Sequence, residues 1–204
     1  MTVAKHELTV QKRTVVIFDI CSSSNILEDL LLSDNIRAMR DLILSIKAFL
    51  RSEETKGRCE VYKFIGDGWI LLFPYQVSGT GLIDFMEELS LMFATKLKKL
   101  VIPHLQSMPP VLGLSFGVDR GQLVRMIMME RAEFIGRPLN IASRLQSAIK
   151  DKDNNPAYKA LFSKYSFRAL GIPSGYRGAK IVRRQLRNIQ GGHNYSCVKL
   201  ALKT

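Results

Sequence analysis

Two apolar runs, Glu60 to Ile65 and Trp69 to Phe73, are separated only by Gly66-Asp67-Gly68. So short a connection between two strand-like runs forces the chain back on itself, and glycine supplies the positive φ that a tight turn requires. The pattern predicts an antiparallel hairpin with a carboxylate at its tip. Upstream, Thr14 to Ile20 (TVVIFDI) is a β-branched apolar run that ends in a second carboxylate and reads as a buried strand. Ser22 to Ser24 form a polar turn able to cap the next element. From Asn25 to Leu50 apolar residues recur at helical spacing, with a loosening expected near Ser33 to Asn35.

Leu82 to Ile102 is a further amphipathic helix, closed by Pro103 and the Pro109-Pro110 pair. Val111 to Val118 and Leu123 to Met129 read as a second hairpin turning at Asp119 to Gly121. Pro138 to Ile149 is a third helix, with Pro138 in its first turn. A polar linker (Asp151 to Pro156), a short helix and strand-like segments near Phe167, Ile181 and Tyr195 to Leu202 complete the chain. The order β-α-β-β-α-β with C-terminal strand additions predicts an α+β, ferredoxin-like sandwich. One domain is expected over 1–204, with its core in 14–150 and an extension in 151–204.

Composition narrows the class. A chain of 204 residues can bury roughly 70% of its unfolded surface without disulfides. Cys21, Cys59 and Cys197 are scattered and form no CxxC pair, which speaks against a zinc site or disulfide framework. Met1 to Arg13 lacks the apolar core of a signal peptide, and no apolar run reaches the roughly 20 residues that span a bilayer. A cytoplasmic protein, free of membrane, is expected. Thirty Lys and Arg against 18 Asp and Glu give a net charge of +12. The basic residues are spread out, the densest group being Lys180, Arg183, Arg184 and Arg187, so the charge selects no nucleic-acid partner.

Asp19 ends the first strand and Asp67 tips the hairpin. If the two pair as in a ferredoxin-like sheet, both carboxylates meet at one edge, where a hard cation such as Mg²⁺ or Mn²⁺ offsets their repulsion. A turn aspartate and a helix cap would explain the same spacing. The serine turn, with Ser22 and Ser23, leads to a helix N-terminus whose N–H groups favour phosphate. Asn140 and Arg144 share one helix face and could hold a ribose and a phosphate, or simply be a solvated polar face.

The segments FDICSSS, YKFIGDGWILLF, LSFGVDRGQLV and EFIGRPLNIASRLQSA together resemble the successive signatures of class III adenylate and guanylate cyclase domains. The resemblance covers about residues 14 to 150, and the Gly-Asp hairpin and the GxxxNxAxR helix carry most of it. It implies a lyase that converts a nucleoside triphosphate to a 3′,5′-cyclic monophosphate and pyrophosphate, with two Mg²⁺ or Mn²⁺ ions per site. Asp19, Asp67 and the carbonyl of Ile20 would hold metal; Asn140 would orient the ribose and Arg144 stabilise the transition state. Lys63 and Glu133 would read the base. It further implies a homodimer with composite sites, the aspartates from one chain and the Asn/Arg helix from the other.

Two positions depart from the family pattern. Glu133 is longer than the usual aspartate, and Gln190 stands where a phosphate-binding lysine is expected, leaving Arg184 or Arg187 to supply the charge. As a bare domain with an altered base-reading pair, the chain is most similar to the stand-alone pyrimidine cyclases of bacterial Pycsar anti-phage systems. That similarity implies UTP or CTP as substrate. The alternatives are a soluble adenylate cyclase, an inactive nucleotide-binding regulatory module, and a polymerase-like palm, which would not need the Asn/Arg helix.

Overall fold

The computed structural model describes residues 8–153 and 155–204, except for the side chains of 150–152. Met1–Glu7 of the polar N-terminus and Asn154 of the expected linker lie outside the described residues. Strand β1 (Thr9–Cys21) leads through α1 (Ser23–Leu32) and α2 (Ile36–Thr55) to β2 (Glu60–Ile65) and β3 (Gly68–Pro74). Then come α3 (Gly79–Leu100), β4 (Gly113–Met128), β5 (Arg131–Ile135) and α4 (Arg137–Lys152). The chain finishes with β6 (Lys159–Ser163), α5 (Lys164–Ala169), β7 (Lys180–Arg184) and β8 (Tyr195–Ala201).

The strands form one sheet in the order β2-β3-β1-β4-β6-β8-β7, with β5 paired to β4. The first four in this row, with the helices between them, are the expected ferredoxin-like unit, and β6, β8 and β7 extend it at one edge. β1 lies between β3 and β4 and is antiparallel to both. Its side chains alternate between two cores, as strand geometry requires. Val16, Phe18 and Ile20 pack with α2 and α3, whereas Val15 and Ile17 pack with Ala142 of α4. A strand covered on both faces needs an unbroken apolar run, which is why TVVIFDI reads as it does.

Three expectations are corrected. The helix read over Asn25 to Leu50 is two helices, broken at the expected Ser33–Asn35 segment, where Asp34 takes a left-handed φ of 57°. No turn exists at Asp119 to Gly121: β4 runs straight through, and the hairpin turns at Met129 and Glu130, both at positive φ. The polar pair that suggested a turn is buried and engaged by distant partners, with only Arg120 Nε unpartnered among the described residues. Ser163 Oγ donates to Asp119 at 2.5 Å, and the Arg120 guanidinium donates to the carbonyls of Tyr75 and Ala169. Phe167, expected in a strand, lies in α5, whose start is capped by Ser163 accepting from Ser166 N at 3.0 Å. Among the described residues no helix is long and apolar enough to cross a membrane.

Candidate active site

The β1–β3 register puts Asp19 directly opposite Gly68, the residue after Asp67. Both carboxylates therefore stand at one end of the sheet. Gly66 supplies the left-handed φ of 72° that turns the hairpin. Gly68 is required for a different reason: a Cβ there would lie 2.2 Å from the Phe18 carbonyl oxygen and 3.2 Å from Asp19 Oδ1. Only a residue without a side chain lets the hairpin tip close onto Asp19.

Asp67 Oδ2 is buried and has no hydrogen-bond partner among the described residues. A buried acceptor left in that state costs about 1–3 kcal/mol, and more when ionised. Asp19 Oδ1 accepts from the adjacent Ile20 N at 3.1 Å, and Oδ2 receives a long 3.4 Å contact from Gln146 Nε2. Ile20 itself is fully buried and pairs with Leu114. Among the described residues no cluster of three His, Cys, Asp or Glu side chains offers a complete ligand set. Two carboxylates, one with an orphaned oxygen, suit a hard cation that takes its remaining ligands from phosphate oxygens and water. The residues fit Mg²⁺ or Mn²⁺.

Ser22 precedes α1 but does not cap it with its side chain. Its φ of 57° is left-handed, not the extended conformation that aims an N-cap hydroxyl at the following amides. α1 starts at Ser23, and its first-turn N–H groups, without a side-chain cap, are of the kind that bind phosphate.

Lys63 and Glu133 are brought together. Lys63 Nζ lies 3.2 Å from both Glu133 oxygens, and Tyr62 Oη donates a short hydrogen bond to Oε2. Successive strand residues normally face opposite ways. Here the β2–β3 register shifts between Val61 and Lys63, and this bulge lets both Tyr62 and Lys63 reach one carboxylate. Tyr62 is fixed in turn by accepting from Phe134 N at 3.0 Å. The Tyr62 hydrogen bond, followed by Lys63, holds the Glu133 carboxyl below its usual range. Burial above all, with the bond to Glu133, raises the Tyr62 phenol. The pair borders a cavity of about 550 Å³ that is also lined by Met128, Met129, Phe134 and Ile135. Arg131 lines it too, so the apolar walls carry two cationic donors and one acceptor, which suit a flat heterocycle.

Asn140 and Arg144 are both exposed on α4. Gln146 is buried against the sheet and reaches Asp19. Two residues along an α-helix are about 200° apart, so Arg144 leaves α4 on the side away from its own chain's Asp19. At the far edge, Gln190 is exposed between β7 and β8. Arg184 binds Asp153 at 3.0 Å with its side chain 11% exposed, and Lys199 meets the same carboxylate at 2.5 Å. Arg184 is thereby engaged at the end of α4, whereas Arg187 is exposed. Tyr62, Ser115, Gln146 and Asp153 escaped the sequence reading. A tyrosine beside Lys63 was the one visible hint, because a bulge leaves no mark on alternation.

No protein-family model matches the sequence, and no curated protein matches it. Solved structures do. The adenylyl cyclase CyaB from P. aeruginosa superposes with a TM-score of 0.73 at 16% identity, over 97% of each chain. The guanylyl cyclase Cya2 gives 0.71 at 15% identity, over 96% of this chain and 94% of that one. A class III adenylyl cyclase-like ATP-binding protein from Pseudomonas aeruginosa gives 0.63 at 16%, over 83% of this chain and 37% of that one. At such identities the likeness establishes the fold, which is that of class III cyclase catalytic domains.

Proposed function

We propose that this chain is a nucleotide cyclase, acting on a nucleoside triphosphate in a site shared between two copies. The observation that carries it is the Asp19–Gly68 register, which closes Asp67, with its unpartnered oxygen, onto Asp19. In the reaction the ribose 3′-oxygen forms a bond to the α-phosphorus, the bond to the β-phosphate bridging oxygen breaks, and pyrophosphate leaves with the electron pair. The hydroxyl proton goes to solvent. Bound divalent cations would lower the hydroxyl pKa and offset charge on the phosphates. Asp19 and Asp67 hold that charge in place, and the first-turn amides of α1 face phosphate. Asn140 orients the ribose, and Arg144 neutralises the pentavalent phosphorus. The outward direction of Arg144 supports a composite site, because the residue is turned from its own aspartates and free to enter a partner's.

Lys63 and Glu133 meet the base. The extra methylene of Glu133 narrows the pocket, which favours a pyrimidine, UTP or CTP, over a purine; an anti-phage signalling role goes with that reading. A binding module that does not turn over is favoured by the engagement of Arg184 with Asp153 and by Gln190, an uncharged side chain where a phosphate-binding lysine is expected. One experiment separates these. The four triphosphates are incubated with Mn²⁺, and pyrophosphate and cyclic product are measured for wild type and Asp67→Ala. A cyclic product lost in Asp67→Ala is expected, with UTP or CTP fastest. Binding without pyrophosphate release selects the module, neither binding nor product removes the cyclase reading, and full activity in Asp67→Ala removes Asp67 from the site.

A further inference from the structure

Two residues beyond Arg144, α4 carries a side chain that points the opposite way. Gln146 is buried, and its Nε2 donates to Ser115 Oγ at 2.8 Å and reaches Asp19 Oδ2 at 3.4 Å. Ser115 is fully buried and sits directly across the β1–β4 ladder from Asp19. The shorter contact anchors the amide. The longer one keeps it aimed at the carboxylate. The helix comes this close because residue 117 is glycine: a Cβ there would lie 1.9 Å from the Ala142 carbonyl oxygen and 2.5 Å from Gln146 N.

A neutral donor suits this place. A carboxylate at 146 would repel Asp19, and an ammonium would pair with it and compete with a cation. An amide restrains the carboxylate and leaves its charge intact. We propose that Gln146 is a positioning residue, setting the orientation in which Asp19 meets its cation. This rests on the reading of Asp19 as a cation ligand. One rigid helix then orients the metal-binding carboxylate of its own chain on one side and presents Arg144 to the partner's site on the other.

Outer hydrogen-bond partners of metal ligands contribute about 10–100-fold to affinity. The test uses the full chain carrying Gln146→Met, of similar volume, and the double variant Gln146→Met with Ser115→Ala. The double variant removes both ends of the buried hydrogen bond, so no orphaned donor is left to unfold the protein. Free Mn²⁺ is followed by electron paramagnetic resonance in separate titrations with α,β-methylene ATP and α,β-methylene UTP. Nucleotide affinity at saturating Mn²⁺ and thermal stability are measured alongside. A rise of about tenfold or more in the Mn²⁺ midpoint, with nucleotide affinity and the double variant's stability near wild type, is the expected result. If the double variant binds Mn²⁺ like wild type while Asp19→Ala does not, Asp19 is a ligand and the Gln146 proposal alone falls. If Asp19→Ala also binds like wild type, the cation reading falls and takes this proposal with it.

Discussion

A buried carboxylate away from the candidate site shows how one residue can set the pH response of the fold. Asp119 is 4% exposed in the middle of β4. Burial pushes its carboxyl up to about 6 from 3.8, against the opposing effects of the Ser163 hydroxyl, the Arg120 amide and nearby Arg137. The folded chain therefore keeps a proton that the unfolded chain releases between about pH 4 and pH 6. Its stabilising effect is complete below that window and lost as pH rises through it. Asp119→Asn keeps an acceptor for Ser163 without the charge. It should be more stable than wild type at pH 7, by on the order of 1–3 kcal/mol, with the difference vanishing near pH 3. Urea unfolding at both pH values reads this out; an equal difference at both would show that the carboxylate is not the source.

Among the elements, α4 depends on a strand it does not belong to. Gly117 leaves a groove in β4 into which the helix backbone fits, and Gly121 similarly comes within 3.0 Å, measured from an added Cβ, of the Pro138 ring. The two nearest atoms an added methyl at residue 117 would meet are backbone, so the whole helix must move. Gly117→Ala should lower the melting temperature by roughly 2–12 °C, the consequence of about 1–3 kcal/mol of overpacking in a domain of this size. Because α4 carries Asn140, Arg144 and Gln146, the proposed cyclase activity should fall further than stability does. Circular dichroism melts and product formation on the same preparation compare the two. Unchanged melting would mean that the helix is not seated on this glycine.

For the whole molecule, the question is whether a site closes within one chain. Arg144 leaves α4 about 200° from Gln146, which faces its own Asp19. Inactive Asp19→Ala and inactive Arg144→Ala chains, mixed under subunit exchange, should therefore regenerate activity. In the proposed homodimer, equal mixing makes half the dimers mixed, each with one intact site, so about a quarter of wild-type turnover should return. Turnover that stays at zero, with exchange verified by size or labelling, would place the complete site in a single chain.

Much of this protein is written in local pattern. The double-sided burial of β1, the Gly66–Asp67 hairpin, the loosening near Asp34 and the shared face of Asn140 and Arg144 follow from periodicity, turn stereochemistry and helical spacing. These depend on neighbours a few residues away, so the sequence alone determined them. Other features were decided only when distant segments met. Asp119 and Arg120 look like a turn until Ser163, Tyr75 and Ala169, 44 to 49 positions away, satisfy them inside a strand. Tyr62 joins Glu133 across 71 positions through a bulge, Gln146 reaches Asp19 across 127, and Arg184 closes on Asp153 across 31. A buried polar group must find a partner, and which partner it finds is set by the packing of whole elements, not by the residues beside it.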